Sequence, residues 1–152
     1  MSDNASLAEV RQYISDSKFA VLNYVREDLA PIARSIGSFF LDGDDLFFST
    51  GKDAAKVSEI ARHPRVSVHF EHEGQSLESW KNLLLVGDAE LTLPGSPEQQ
   101  RAIEALSVKS PRFRERVARG ELASIAIFRV HVREYQYLDF TKGYTPARFD
   151  LA

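Results

Sequence analysis

The chain has 152 residues, 43% hydrophobic and 27% charged, which suits one domain with a packed core and excludes a disordered polymer. Its 19 basic and 22 acidic residues leave a formal net charge of -3, so no global positive field attracts a nucleic-acid backbone or an anionic membrane surface. The absence of cysteine removes disulfides, thiolate nucleophiles and cysteine metal sites.

The N-terminal MSDNASLAEV lacks the basic start and apolar run of a signal peptide, and no later stretch reaches membrane-spanning length, so a cytoplasmic location is expected. Ser6-Leu7-Ala8-Glu9 has the spacing of a capping box and predicts a helix over 6–16, with Leu7, Val10, Tyr13 and Ile14 on its apolar side. The β-prone run FAVLNYV, 19–25, predicts the first strand. Pro31 has no amide to donate and belongs at the start of the second, expected to run through Ile32 and Arg34 to Phe40. Asp42-Gly43 marks a hairpin turn, and 46–49 is the returning strand.

After Gly51 the spacing becomes helical. Asp53 is the expected cap, Ala54, Val57, Ile60 and Ala61 share a face, and His63-Pro64 ends the helix. Residues 66–70 alternate as a half-buried strand, and 71–79 read as a loop. The next strand, 82–93, begins with the unbroken run Leu83-Leu84-Leu85-Val86, which predicts cover on both faces there. Ser96-Pro97 and Ser110-Pro111 introduce two helices, the second basic and closing at Gly120. The last strand, 124–137, changes phase between Ile127 and Phe128 and again before Tyr135, which predicts one or two bulges. Residues 140–152 read as a surface extension. About six closely spaced strands with short helices predict a mainly β single domain, 1–152, shaped as a small barrel.

The stretch ARSIGSFFLDGDDLFFSTGKDAAK, 33–56, carries the functional argument. Taken singly, Arg34 on a strand and Lys56 in the first turn of a helix are ordinary surface cations. Together, a hairpin followed by a helix would bring Lys56 towards Arg34, so that two cations and a helix N-terminus converge on one phosphate. Ser49-Thr50 at a strand end and the backbone of Ser35-Ile36-Gly37 could bond the polar edge of a flat heterocycle, with Gly37 permitting close approach.

RSIGSFFLDGDDLFFSTGKDAAKV, the helix stop HPRVSVHF and the strand WKNLLLVGDAEL resemble the pyridoxamine 5'-phosphate oxidase-like family of FMN-binding split barrels, including its general stress protein-like members. The resemblance covers 19–93 well and 125–137 loosely. It implies a six-stranded split barrel that binds FMN. Arg34 and Lys56 would hold the phosphate, Ser35, Ile36, Ser49 and Thr50 would line the ring and ribityl chain, and Asn82 would meet the ring. It also implies a homodimer with the flavin between subunits, to which Trp80 and the 107–112 segment would contribute from the partner. An oxidoreductase passing hydride between the flavin and a small-molecule donor or acceptor follows, with neither nucleic acid nor membrane as partner. A flavin-binding stress or storage module without turnover is the alternative, as is a barrel that binds deazaflavin or heme or has lost its cofactor.

This chain departs from that pattern in places. Ala54-Ala55 stand where many members place Ser-Arg, His63 replaces an Asn, and the C-terminal Arg-Leu-His motif of the true oxidases is absent, so vitamin B6 oxidation is not expected. No metal is expected either, because His69 and His72 alternate on an extended strand and no third ligand completes a set with His63 or His131. A hydrolase elbow of the Gly-x-Ser-x-Gly kind is also missing.

Overall fold

The computed structural model describes residues 5–151. Helix α1 (Leu7–Asp16) starts as expected, with the Ser6 hydroxyl accepting from the Glu9 amide at 3.1 Å. Strands β1 (Ala20–Val25), β2 (Pro31–Ile36), β3 (Phe39–Asp42) and β4 (Asp45–Gly51) precede helix α2 (Ala55–Arg62). Then come β5 (Arg65–Glu71), β6 (Lys81–Leu91), the helices α3 (Pro97–Lys109) and α4 (Pro111–Ala118), and β7 (Ile125–Asp139) and β8 (Ala147–Asp150). The fold is therefore mostly β with short helices.

All pairings are antiparallel, in the order β2-β1-β5-β6-β7-β4-β3, with β8 added to β7. The end strands β2 and β3 are consecutive in the chain and joined by Gly37 and Ser38 alone. Three Cα steps span at most about 11 Å, so the two ends of the sheet must come together and the sheet must curl. The result is a split barrel, and the Ser49 amide, donating to the Ser38 carbonyl at 3.1 Å, carries the β3–β4 ladder up to the joint with β2.

The expected single strand over 31–40 is thus two strands at opposite ends of the sheet. That break raises the strand number above the expected six. β8 raises it again, because 147–150 pair with Glu134–Tyr137 rather than forming a loose surface tail. At the hairpin the expectation holds: Gly43 turns at φ 61° between Asp42 and Asp45.

Two cores explain the odd phase of β7. Phe48, Phe128 and Val130 point into the barrel, whereas Phe47, Ile125 and Ile127 lie under α3 and α4 with Leu106 and Phe113. Ile127 and Phe128 are therefore both buried, and they pair with Ser49 and Phe48 without a register shift. The bulge expected there does not exist, because a strand covered on both faces loses its alternation. The second phase change is a true bulge: Val86 pairs with Glu134 and Gly87 with Val132, which leaves Arg133 over. In β6, Leu83 and Leu85 are buried but Leu84 and Val86 remain partly exposed, so the expected double cover is absent within one chain.

Candidate functional site

The barrel seam opens into a cleft of about 370 Å³, and most of the residues singled out from the sequence converge on it. One wall is the end of β2 and the connection to β3, residues 35–38. Ser49 and Thr50 from β4 and Lys56 from α2 add to it, and Ser110, Arg112, Phe113 and Arg116 complete its lining. Ser49 Oγ donates to Ser38 Oγ at 2.8 Å, which ties β4 to the seam and points hydroxyls at its edge.

Arg34 reaches this region by a different route from the expected one. β2 pairs with β1, with Arg34 opposite Leu22, and not with the β3–β4 hairpin. Barrel closure, rather than a hairpin, brings Arg34 and Lys56 near each other. Lys56 is half-buried, and burial first and the positive charge of Arg34 second hold its ammonium below the usual lysine range. The Arg34 side chain is exposed and donates to its neighbour's carbonyl, Ala33 O, at 3.2 Å.

At the start of α2 the expected Asp53 cap is not used: Ala54 is the capping position, and no side chain caps the first turn. The helix continues after Gly51 because Ala54 N donates to Gly51 O and Val57 N to Ala54 O, so a local backbone turn replaces the side-chain cap. The uncapped amides and the helix dipole leave the first turn of α2 suited to an anion.

Trp80 and Asn82 lie elsewhere. Asn82 sits at the start of β6 between Glu71 and Leu138, and the Trp80 carbonyl accepts from the Phe140 amide at 2.9 Å. Neither lines the cleft. Of the 107–112 segment, Ser110 and Arg112 line the cleft of their own chain. Ser38, Phe113 and Arg116 were not anticipated from the sequence. A signal for Arg116 was present: it stands four residues after Arg112, so both share one helical side while Phe113 is buried against the second core.

Three of the four histidines have side chains engaged in structure. His69 bonds Glu71 at 2.9 Å, His131 bonds Asp45 at 3.1 Å, and the His72 ring stacks on Tyr13 at 3.7 Å between centroids. Among the described residues no group of three or more His, Cys, Asp or Glu could hold a metal ion, and no helix is long and apolar enough to cross a membrane. A second cleft, of about 430 Å³, has mostly apolar walls from Leu91, Pro94, Leu122, Ile125 and Ile127 and gathers none of the expected cofactor residues.

Residues 6–139 match the family model described as pyridoxamine 5'-phosphate oxidase. The chain belongs to the pyridoxamine 5'-phosphate oxidase family. A search of curated proteins found no match to this family member. Among solved structures, a heme binding protein from Mycobacterium smegmatis superposes with a TM-score of 0.80 at 14% identity; the alignment covers 99% of this chain and 60% of that protein. A protein related to general stress protein 26, from Clostridium acetobutylicum, gives 0.71 at 15% identity over 95% and 94% of the two chains. An FAD-binding protein from Mesorhizobium loti gives 0.69 at 17% identity over 88% and 94%. At these identities the likeness carries the fold, and the oxidase family name describes ancestry rather than a reaction.

Proposed function

We propose that the seam cleft binds FMN and that the protein is a flavin-dependent oxidoreductase acting on a small-molecule donor or acceptor. The observation that carries this reading is the placement of Lys56 in the same cleft as Ser35, Ile36, Gly37, Ser49 and Thr50, close enough to Arg34 for the two cations to repel. A half-buried cation beside a second cation is stabilised when a dianionic phosphate joins them. Lys56 and Arg34 would hold that phosphate. The hydroxyls of Ser49 and Thr50 and the backbone of residues 35–37 would bond the ribityl chain and the polar rim of the ring.

Bound FMN would supply the hydride chemistry, leaving the chain to bind, orient and shield it. The reading extends to a cytoplasmic homodimer, in which Trp80 and Asn82, remote from their own cleft, would complete the partner's site. The partly exposed Leu84 and Val86 on the outer face of β6 favour such cover.

A second reading, heme, is favoured by the description of the Mycobacterium smegmatis neighbour. Against it, the cleft presents hydroxyls and cations rather than an iron-ligating side chain. The visible spectrum of the purified protein, taken before and after incubation with FMN and desalting, separates the two. A retained two-band yellow spectrum supports FMN, a Soret band on adding hemin with no flavin retention supports heme, and refusal of FMN overturns the proposal. Steady-state oxidation of NAD(P)H by the flavin-loaded protein then distinguishes an oxidoreductase from a storage module.

A further inference from the structure

The seam cleft draws cations from two helices. Lys56 stands on the α2 side with Arg34 nearby; Arg112 and Arg116 line the α4 side. Among the described residues no carboxylate lines the cleft. Glu59, the acidic group beside this region, hydrogen-bonds the Tyr24 hydroxyl, on which Arg34 acts with the opposite sign.

The arginines of α4 and of its C-terminal cap are not equivalent. Arg114 turns back and donates to the Ser107 carbonyl at 3.1 Å, and Arg119 pairs with Glu121 at 3.0 Å. Arg116 makes one long bond, to Ser124 Oγ at 3.4 Å, and is partly buried. Burial of Phe113 in the second core, with Ser110 capping its amide at 3.2 Å, fixes the rotation of the helix. Arg112 and Arg116, one turn apart, therefore face the cleft together. At α2, Ala54 and Ala55 provide no side-chain donor, so the first turn of α2 offers an anion its backbone, its dipole and Lys56 alone.

We propose that Arg112 and Arg116 are phosphate-binding residues of the same chain, holding the phosphate of the bound flavin from α4 while Lys56 holds it from α2, and replacing the donors that Ala54 and Ala55 lack. This rests on the FMN reading above. Guanidinium groups bind a phosphate through paired N–H donors, and two of them at helical spacing can engage two of its oxygens. The ligand class is a flavin monophosphate, and the discrimination they confer is between FMN and riboflavin, which share a ring and ribityl chain and differ in the phosphate.

The test is flavin-fluorescence titration of the full-length protein with FMN and with riboflavin, for wild type, Arg112→Gln, Arg116→Gln, Arg112→Lys, Arg116→Lys and the control Arg114→Gln. Each Gln variant is expected to weaken FMN about tenfold or more and leave riboflavin unchanged, with partial recovery in the Lys variants and no effect of Arg114→Gln. Unchanged melting temperatures establish that the variants fold. If wild type prefers FMN to riboflavin but the Gln variants bind both flavins as wild type does, this inference falls and the FMN reading stands. Equal weakening of both flavins also overturns it, since the arginines would then shape the cleft rather than hold the phosphate. If wild type binds neither flavin, both readings fall.

Discussion

Arg11 on α1 grips Asp44, in the turn between β3 and β4, through two hydrogen bonds, Nε to Oδ1 at 3.1 Å and Nη2 to Oδ2 at 2.8 Å. Tyr135 on β7 adds a third by donating its hydroxyl to Oδ1 at 2.9 Å. One carboxylate thus joins the N-terminal helix, the hairpin and the longest strand, and steadies β3 and β4 at one end of the sheet. The Arg11 hydrogen bond above all holds the Asp44 carboxyl below the usual carboxylate range.

Replacing Asp44 with Ala should cost about 1–3 kcal/mol of stability, because the half-exposed Arg11 keeps water while the Tyr135 hydroxyl loses its acceptor. The contribution has a definite pH sign. With the folded pKa depressed, it is fully present above the unfolded pKa of about 4 and is lost as pH falls through the folded value. Chemical denaturation of wild type and Asp44→Ala at pH 7 and pH 3 measures this, and the difference between them should shrink at the lower pH.

Gly87 sits at the β6 side of the bulge because the neighbouring strand leaves no room for a side chain. A Cβ there would lie 2.4 Å from the His131 carbonyl oxygen and 2.8 Å from Val130 Cγ1. The first of these is backbone in a paired strand and cannot swing away. Gly87→Ala should therefore destabilise by about 1–3 kcal/mol or more. A melting temperature equal to that of wild type would show that the bulge accommodates a methyl group.

Lys109 places its ammonium 3.7 Å from the centroid of the Phe39 ring, and burial lowers its pKa to about 8 in spite of Asp16. The lowered value means that desolvation outweighs the attraction of Asp16. Between about pH 8 and pH 10 the unfolded chain keeps a proton that the folded chain has released, so this group makes stability rise with pH. Above that window Tyr137, whose hydroxyl burial pushes up to about 12, contributes the opposite slope. Lys109→Met should be more stable than wild type at pH 7, and the advantage should narrow by pH 10. Denaturant midpoints at the two pH values decide it.

Arg34 and Lys56 belong to the phosphate side of the FMN proposal, so Arg34→Ala and Lys56→Ala should each weaken FMN about tenfold or more while sparing riboflavin. A pH dependence accompanies this. Lys56 loses its proton at a lower pH than an ordinary lysine, so FMN affinity should decline on the alkaline side before that of a protein using an unperturbed lysine. Isothermal titration across pH 7 to 10 is the measurement, and an affinity independent of both residues would remove the phosphate assignment.

Local chemistry made much of this molecule legible from sequence. The Ser6 capping box, the turn at Gly43, the stop at His63-Pro64 and the paired Ser-Pro helix starts each depend on residues within a few positions, so α1, the end of α2 and the starts of α3 and α4 could be read from the chain. Arg34, Ser49-Thr50 and Lys56 could be singled out for a similar reason, since their types and spacing suit an anion and a flat ring.

The tertiary structure decided what those local signals could not. Pro31 to Phe40 reads as one strand because Ile32, Ile36, Phe39 and Phe40 are β-prone and no strong turn signal parts them, and only closure of the barrel makes Gly37-Ser38 the joint between the two ends of the sheet. Ile127 and Phe128 look like a bulge until two cores cover the two faces of β7. Arg112 and Arg116 look like a solvated basic helix until burial of Phe113 turns that helix towards Lys56. In each case the deciding interaction joins residues far apart in the chain, and its partner is absent from the neighbouring sequence.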